Sequence, residues 1–414
     1  MRYSQLFGKT SKTVASDADS INAKLLTQGG FIQKEISGVY NYLPLGLRVL
    51  TKIQNIVREE MDKVGGQEIL MPAMTQNESW ITTGRNNMDV LFHFKGQGDT
   101  DLVLNPTHEE VVTPLAQKYI FSYRDLPVAV YQIQNKFRNE ARAKSGLLRG
   151  REFNMKDLYS FHINEEDLNR YYEIVKKAYF EIYKRLELDD ITVLTFASGG
   201  AFSQFSHEFQ TINENGEDTI YLCEKCKIAI NKEIVDTQKT CPECGSDKLK
   251  TVKATEVGNI FKLRTKFSQA FNFYYSDSKG QEKIVEMGCY GFGPSRTMGT
   301  IVEIFNDNKG IIWPKEIAPY QIHLIGLDLF DENIKNQVEK IYQDLLDKNI
   351  EVLFDDRVDV TAGAKFADAD LIGNPSRLVI SKRSLDIGGI ELKNRNEDTS
   401  EILSVDEIFL KIKN

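Results

Sequence analysis

A short basic stretch of this chain combines side chains that could bind a phosphorylated purine. Residues 136–156 read KFRNEARAKSGLLRGREFNMK and hold seven cationic side chains, although the whole chain carries a formal net charge of -8. Arg138 and Glu140 are two residues apart, so on a strand their side chains point to the same face. An arginine can bind a phosphate with two parallel hydrogen bonds, and a nearby carboxylate can accept from a purine amine. The alternative is a solvated hairpin with surface charge.

A second element could bind the other end of such a ligand. GCYGFGPSR (288–296) is a glycine-rich turn that ends at Arg296, and TMGTIVEIF after it has a helical pattern. Glycines let a backbone approach a ligand closely, and an arginine at a helix start can reach a phosphate tail. Such turns are frequent, so this turn supports a phosphate site only in combination with Arg138. The chain has neither a GxxxxGK[ST] phosphate loop nor an HExxH zinc motif.

Four of the five cysteines have metal-ligand spacing. They follow the pattern Cys-x2-Cys-x14-Cys-x2-Cys, and Pro242 and Gly245 supply turn residues at the second pair. Two such pairs can close a tetrahedral site with four sulfur ligands around zinc, which leaves no open position and predicts a structural metal. The alternatives are two disulfides or four free thiols, and an oxidising compartment would be needed for disulfides. The ligands would be Cys223, Cys226, Cys241 and Cys244.

Composition limits the classes of protein that fit. With 414 residues, 41% hydrophobic and 27% charged, the chain suits two or three globular domains. A pI near 5.4 argues against a nonspecific nucleic-acid coat but not against one basic surface. No run of 18 apolar residues predicts a membrane span, and the first residues lack the apolar core of a secretion signal. We expect a cytoplasmic protein without a membrane partner.

The elements that must position these residues can be predicted from periodicity. PLGLRVLTKIQNIVREEMDKVGG (44–66) has apolar residues at helical spacing, a proline in the first turn and glycines at its end. QEILM (67–71), DLVLN (101–105) and PVAVYQIQNKF (127–137) read as strands, and the last of them leads into Arg138. Residues 164–188 predict a helix capped by Asn164. Its apolar stripe would be Leu168, Tyr171, Val175, Ala178, Ile182 and Leu186.

The pattern changes near IIWPKEIAPYQ (311–321). Strands QIHLIGL, EVLFDD and SRLVIS then alternate with helices, the first from Asp331 to Lys348, and a capping box Ser404-x-x-Glu407 opens the last helix. Alternating strands and helices predict a small α/β domain of about 95 residues. The preceding body, with long strands and clustered helices, predicts an α+β fold that the cysteine segment interrupts.

Eight blocks of the chain resemble bacterial-type prolyl-tRNA synthetases in their family order. They are NYLPLGLRVL, LNPTHEE, YQIQNKFRNE, REFNMKDLYSFH, SHEFQ, EMGCYGFGPSR, GIIWP and FADADLIGNP. Within them, helix 44–64 with Pro72 resembles motif 1 of class II aminoacyl-tRNA synthetases, FRNE with REF resembles motif 2, and GFGPSR resembles motif 3. The resemblance covers nearly the whole chain except residues 219–252.

The resemblance implies a fold and its boundaries. It implies an α+β class II catalytic domain, an antiparallel sheet flanked by helices, at 1–218 and 253–315. A small zinc-ribbon insert with four cysteines would occupy 219–252, and an α/β anticodon-binding domain would occupy 319–414. Asp356, Arg357, Lys365 and Phe366 lie inside the anticodon-binding stretch. Motif 1 implies a homodimer through residues 44–72, and the interval before motif 3 is too short for the large editing domain of many relatives.

The resemblance also implies roles for single residues. Arg138 would bind the ATP α-phosphate and the substrate carboxylate, Glu140 would accept from adenine, and Arg296 would bind the γ-phosphate. Thr107 and Glu109 would receive the ammonium group of L-proline, with His207 beside its ring and Cys289 as a packing residue. The loop cations Arg142, Lys144 and Arg149 would meet the acceptor end of tRNA(Pro).

The chemistry implied is formation of prolyl-adenylate from proline and ATP with Mg²⁺, then transfer to tRNA, with a separate deacylase to clear mischarged tRNA. Each role has an alternative: Thr107 and Glu110 fit a capping box, and His207 among phenylalanines fits a core. A sister synthetase for threonine, glycine or histidine, and an inactive tRNA-binding paralogue, are the rival functions.

Overall fold

The computed structural model describes residues 1–13 and 18–413, which form two compact units. A terminal unit contains residues 1–35, 40–52 and those from 301 onward, and a central unit contains residues 36–39 and 53–300. These units are not the domains expected from the sequence, whose boundaries remain a prediction. Throughout the described residues, every helix is too short or too polar to cross a membrane.

The helices of the described residues alternate with the strands along most of the chain. They are α1 (Ile21–Gln28), α2 (Pro44–Lys63), α3 (Asn77–Thr82), α4 (Glu109–Ala116), α5 (Glu165–Arg185), α6 (Lys266–Ala270), α7 (Pro294–Ile304), α8 (Glu332–Asp347), α9 (Ala362–Ile372), α10 (Lys382–Asp386) and α11 (Val405–Lys413). Short 3-10 turns lie at Tyr3–Gln5, Gln97–Asp99, Tyr123–Asp125 and Lys232–Ile234.

The strands are concentrated in the central unit. They are β1 (Ile32–Ile36), β2 (Val39–Tyr42), β3 (Gly66–Glu68), β4 (Met74–Gln76), β5 (Phe92–Lys95), β6 (Asp101–Leu104), β7 (Val128–Phe137), β8 (Glu152–His162), β9 (Thr192–Ser198), β10 (Phe205–Ile212), β11 (Asp218–Cys223), β12 (Ile228–Asn231), β13 (Lys250–Arg264), β14 (Tyr274–Ser276), β15 (Glu282–Ile284), β16 (Glu286–Phe292), β17 (Ile322–Gly326), β18 (Val352–Asp355), β19 (Ser376–Ile380), β20 (Ile390–Asn394) and β21 (Glu401–Leu403).

Local sequence signals explain where the two long helices begin and end. The predicted helix at 44–66 is confirmed as α2, and Gly65 ends it with φ of 79°, a conformation that costs a residue with a Cβ atom more than glycine. The Asn164 side chain accepts from the Asp167 backbone N–H (2.9 Å) and caps α5 as predicted. The predicted stripe of α5 is buried at five of its six positions, and Tyr171 is half-buried.

A nine-stranded sheet forms the core of the central unit. Its order is β10-β9-β12-β11-β13-β16-β8-β7-β3, and β13 also pairs with β10. Most neighbours are antiparallel, as expected, but β3 pairs with β7 and β12 pairs with β9 in parallel, so the sheet is mixed. The predicted strand at 67–71 is shorter in the structure, because β3 ends at Glu68.

The cysteine segment is continuous with this sheet. Strands β11 and β12 pair with each other, and they join the sheet through β13 and β9 respectively. The sequence indicated an interruption of the body at residues 219–252. The expected interruption and the observed continuity differ because a local sequence pattern does not specify which distant strand a segment pairs with.

The terminal unit contains the predicted α/β arrangement. Its five-stranded sheet has the order β18-β17-β19-β20-β21, with the first three strands parallel and the last two antiparallel. Helix α8 is capped by Asp331, whose side chain accepts from the Asn333 backbone N–H (2.9 Å). The predicted capping box at α11 is confirmed, because Ser404 N donates to Glu407 Oε2 (2.8 Å) and Glu407 N donates to Ser404 Oγ (3.4 Å).

Candidate active site

A cavity of about 190 Å³ opens on one face of the central sheet. Strands β8, β13 and β16 supply most of its lining, and the turn before α7 and the residues after β7 complete it. The lining side chains are Thr107, Arg138, Phe153, Met155, Asp157, Phe202, Glu256, Val257, Asn259, Phe261, Cys289, Phe292 and Arg296, with glycines at 258, 291 and 293. Four residues assigned to the site from the sequence therefore line one cavity: Thr107, Arg138, Cys289 and Arg296.

Two guanidinium groups give the cavity a positive end. Arg138 follows β7, where its backbone N–H donates to Arg151 O (2.8 Å), and its Cζ lies 5.1 Å from the Phe153 ring centroid. Arg296 lies in the first turn of α7 and donates to Glu256 O (2.9 Å) and Oε2 (3.2 Å). Within the described chain, no carboxylate lies at ion-pair distance from Arg138. Burial and then the charge of Arg296 lower the pKa of Arg138, so an anion here would gain from both groups.

Thr107 and Glu109 form the polar end of the same region. Thr107 Oγ1 donates to Glu109 Oε2 (2.7 Å), and Cys289 Sγ donates to Glu109 Oε1 (3.1 Å). Glu109 is fully buried in the first turn of α4, where the helix dipole favours a negative charge. Burial and the neighbouring Glu109 raise the pKa of Cys289 well above its usual range, so Cys289 is a neutral thiol. The alternative capping box of Thr107 with Glu110 is wrong, because His108 is the N-cap of α4.

A buried ionic network lies behind the cavity lining. Lys136 Nζ is 2.8 Å from Asp157 Oδ1 and 2.6 Å from His108 Nδ1, and the Tyr159 hydroxyl donates to Asp157 Oδ2 (2.9 Å). Burial raises the pKa of Asp157, but Lys136 and His108 outweigh it and hold that pKa below its usual range. Asp157 therefore presents an ionised carboxylate to the cavity.

His207 lies away from this cavity. On β10, His207 is opposite Phe196 and Ile260, and its Nδ1 is 2.7 Å from the Tyr172 hydroxyl of α5. Neighbouring residues of a strand face opposite sides, so Glu208 and not His207 faces the cavity side, where it accepts from Asn259 Nδ2 (3.4 Å). Burial lowers the pKa of His207 to about 4, which keeps its ring neutral. The structure thus places His207 half-buried beside Tyr172 of α5 and outside the cavity lining.

The remaining predicted residues occupy the hairpin between β7 and β8. Glu140 accepts from Arg149 Nη2 (2.7 Å) and is absent from the cavity lining, although its charge acts on Arg138. Lys144 and Arg149 lie 3.9 Å and 3.8 Å from the carboxylate of Glu217. Arg142 is exposed, and none of the described carboxylates pairs with it. Of the three cations predicted to meet tRNA, Arg142 is unpaired among the described carboxylates, Lys144 is weakly paired, and Arg149 is firmly paired with Glu140.

The four spaced cysteines converge, and none of the four forms a disulfide. Their sulfur atoms lie within 4.8 Å of one another, with Cys223 Sγ 3.8 Å from Cys244 Sγ. Zn–S bonds of about 2.3 Å in a tetrahedron give a sulfur separation of about 3.8 Å. The two turns are alike: the N–H groups of Lys227 and Gly245 donate to Cys223 O and Cys241 O (2.9 Å each), and both residues have positive φ. The cluster could hold a metal ion.

Several residues of this region were missed by sequence reasoning. Asp157, Glu256, Asn259 and Phe202 line the cavity, and Arg85 contacts Glu109 behind it. A β-bulge explains Glu256: Phe209 pairs with Gly258 while the next residue, Gln210, pairs with Glu256, so Val257 is skipped. Glu256 and Asn259 therefore share a face despite an odd separation. The block resemblance around SHEFQ gave no signal for this.

Comparison with known proteins adds an independent line of information. Residues 92–305 match the tRNA synthetase class II core domain (G, H, P, S and T), and residues 317–414 match an anticodon binding domain. The proline–tRNA ligase of Anaplasma phagocytophilum (strain HZ) is 38% identical over 430 residues, covering 100% of both chains. That of Rickettsia bellii (strain OSU 85-389) is 38% identical over 422 residues, covering 98% of this chain and 97% of the relative.

A longer relative shows where the lengths differ. The proline–tRNA ligase of Dehalococcoides mccartyi (strain CBDB1) is 35% identical over 561 aligned residues, which cover 100% of this chain and 98% of the relative. Set against the 414 residues of this chain, 561 aligned positions leave at least 147 without a counterpart here. The Anaplasma and Rickettsia relatives align without such a gap.

Proposed function

The chain belongs to the proline–tRNA ligase family, and from that premise we propose how its central cavity performs the reaction. The family's members join L-proline to tRNA(Pro) at the expense of ATP. In the first step the proline carboxylate attacks the α-phosphate of ATP, giving prolyl-adenylate and pyrophosphate. In the second step a terminal ribose hydroxyl of the tRNA takes the prolyl group. The 414-residue length fits a ligase without an editing insertion.

Arg138 and Arg296 bind the phosphates of ATP in this proposal. The single observation that carries it is their convergence on one cavity, where Arg138 has no carboxylate partner among the described residues. Two fixed guanidinium groups oppose the charge that develops on the phosphoryl oxygens, and they need no reorganisation at the moment of reaction. Glu140 as the adenine acceptor remains a proposal, since it would have to leave Arg149.

Proline occupies the polar end, with its ammonium group at Thr107 and Glu109. A secondary ammonium needs an ionised acceptor, and a ring needs apolar and aromatic neighbours, which Phe202 and Phe261 supply in the lining. We assign the ring contact to these phenylalanines because His207 faces α5. The reaction needs no protein nucleophile, and the neutral thiol of Cys289 is a packing residue with a hydrogen bond to Glu109.

Two metal ions belong to the proposal. Of the two lining carboxylates, Glu256 is the one that could support Mg²⁺ beside the ATP phosphates, where the ion would supply neutralising charge: its partner Arg296 also serves those phosphates, whereas Asp157 is paired with the fully buried Lys136. Zinc fits Cys223, Cys226, Cys241 and Cys244, because their sulfur atoms all lie within 4.8 Å of one another and the Cys223–Cys244 separation of 3.8 Å is that of a closed tetrahedral site. This zinc is structural and takes no part in the reaction.

The surfaces for tRNA and for a second copy are also proposed. Arg142, Lys144 and Arg149 meet the acceptor end of tRNA, where a polyanion can replace the weak contacts with Glu217 and the closer contact of Arg149 with Glu140. A homodimer forms through residues 44–72, and the exposure of Leu70 (77%) supports an interface there. A separate deacylase acts in trans on mischarged tRNA.

Amino-acid-dependent pyrophosphate exchange tests the proposal. The unmodified chain is expected to exchange with proline among twenty amino acids; exchange with threonine, glycine or histidine instead would indicate a sister enzyme, and no exchange would indicate a paralogue without activity. Arg138→Ala is expected to lower the exchange rate by about 10²–10³. Arg264→Ala, at an exposed arginine paired with Glu165, is the matched control and should keep the rate. Equal exchange rates in the two variants would show that Arg138 does not bind ATP.

A further inference from the structure

Arg85 is a buried arginine that joins two parts of the proline site. It follows α3 in the turn at residues 83–87, and only 5% of its surface is exposed. Its Nη1 donates to Glu110 Oε1 (3.0 Å) and to Glu109 Oε2 (3.3 Å). Its Cζ lies 4.5 Å from the ring centroid of Phe202. One side chain therefore touches both the ammonium acceptor and an aromatic residue of the cavity lining.

The charged groups in direct contact with Arg85 do not balance it. Glu109 and Glu110 are 0% and 1% exposed, so two buried carboxylates face one guanidinium. Glu110 receives the closer contacts from Arg85 and a further hydrogen bond from Thr83 Oγ1 (2.7 Å). Glu109 receives only the longer Arg85 contact and the neutral donors Thr107 and Cys289. One negative charge thus remains, and it is located at Glu109.

The aromatic contacts fix the plane of the guanidinium. Trp80 and Phe267 lie 5.4 Å and 5.2 Å from Arg85 Cζ, in addition to Phe202. Its Nε and Nη2 are buried and have no hydrogen-bond partner among the described residues. The group is therefore held by Glu109, Glu110 and ring faces, and a cation in such a place is stabilised by the ring quadrupoles. Moving Arg85 would disturb Phe202 and Glu109 together.

We propose that Arg85 is a positioning residue that sets proline specificity: it neutralises Glu110, leaves Glu109 as the single uncompensated charge for the substrate ammonium, and supports Phe202 beside the ring. The inference rests on the proposed role of Glu109. It assigns to Arg85 no contact with substrate or ATP, so its effect should fall on the KM for proline and leave the KM for ATP nearly unchanged.

Charge-balance variants test the inference in the full chain. Glu110→Gln removes one charge, so Arg85 then neutralises Glu109, and we expect the KM for proline to rise about tenfold or more. Arg85→Met leaves two buried carboxylates that repel each other. The KM for proline in this variant should also be higher than in the unmodified chain. The double variant Arg85→Met/Glu110→Gln restores one net negative charge, so its KM should fall below that of either single variant. Arg85→Lys keeps the charge and should be the mildest change.

The outcomes separate two failures. If the unmodified chain shows no proline-dependent exchange, the proposed function fails and this inference falls with it. If the chain is active and the two single effects merely add in the double variant, Arg85 acts through folding alone and the inference is overturned. Should the Arg85→Met variants not fold, as judged by circular dichroism, Glu110→Gln decides: an unchanged KM for proline, or an equal rise in the KM for ATP, overturns the inference.

Discussion

The Nζ atom of Lys156 lies 2.7 Å from the hydroxyl of Tyr179, and both side chains are fully buried. Lys156 Nζ also contacts Tyr290 O (3.1 Å) and Met61 Sδ (3.3 Å). No carboxylate of residues 1–13 and 18–413 lies at ion-pair distance from it. The next residue, Asp157, points to the opposite face of β8, where Lys136 pairs with it. Adjacent residues of one strand thus bury an amine and a carboxylate, and only the carboxylate has a counter-ion.

We expect stability to rise with pH above neutrality because of Lys156. Burial lowers the pKa of Lys156 from 10.5 to about 7, so between these values the unfolded chain binds the proton and the folded chain does not. The free energy of unfolding should therefore rise by about 1.4 kcal/mol per pH unit across this window. Chemical denaturation at pH 7 to 9.5 measures it. Lys156→Met should remove the slope, and a variant that keeps it would assign the effect elsewhere.

The KM for proline should rise as the pH falls below about 7. Burial raises the pKa of Glu110 to about 7. The charge of Arg85 lowers this pKa, and the charge of Glu109 raises it further. Protonation of Glu110 leaves Arg85 to neutralise Glu109, and the substrate ammonium loses its partner. Thr83 donates to Glu110, and Lys266 adds a positive charge nearby. Exchange kinetics from pH 6 to 8 measure this effect. A KM in Glu110→Gln that follows pH as in the unmodified chain would contradict the explanation.

Arg142→Ala should impair transfer to tRNA more than activation of proline. Arg142 is exposed and outside the cavity lining, so the ATP site keeps its two guanidinium groups. Loss of one phosphate contact should also reduce the salt dependence of tRNA binding by about one charge. Single-turnover transfer and pyrophosphate exchange, measured side by side, separate the two steps. An equal loss in both steps would mean that Arg142 serves ATP or the fold.

The purified chain should contain about one zinc ion, bound by the four spaced cysteines. Cys223→Ser with Cys241→Ser removes two ligands, and metal analysis by mass spectrometry should then find none. Cys289→Ser is the matched control, because Cys289 bonds to Glu109 and lies outside the cluster. Four reactive thiols in the native, unmodified chain, without metal, would refute the assignment.

Alanyl-tRNA(Pro) should be formed slowly by this chain and not hydrolysed by it. Alanine is smaller than proline, so a proline cavity admits it and only binds it less well. Two missing methylenes at about 1–3 kcal/mol each give a discrimination of about 10²–10⁴. Decay of supplied alanyl-tRNA, followed with and without the chain, is the measurement. Decay well above the rate without enzyme would reveal an editing site.

Residues governed by local signals were predictable from the sequence. Asn164 and Ser404 cap their helices as expected, because a cap depends on neighbours within three or four positions. Short-range geometry carries that information. Arg138 and Arg296 also line one cavity, but their convergence depends on the pairing of β7, β8 and β16, which no local signal specifies.

Residues governed by long-range register were not predictable. His207 faces α5 because β10 pairs with β9 and β13 in one particular register, and a shift of one residue would reverse its direction. Arg85 lies in a turn without periodicity, and its carboxylate partners are 24 and 25 positions away. Neither fact can be read from a window of neighbouring residues.

Because Val257 is skipped in the pairing, the number of residues in β13 decides which of its side chains face the cavity. Because of that bulge, Glu256 shares a face with Asn259 and holds Arg296, while Leu222 and Lys250 pair at the beginning of the same strand near Cys223. A substitution along β13 changes one contact. An insertion or deletion of one residue would instead exchange the cavity-facing set for the core-facing set along the strand. In the evolution of this chain, β13 should therefore accept changes of residue type far more readily than changes of length.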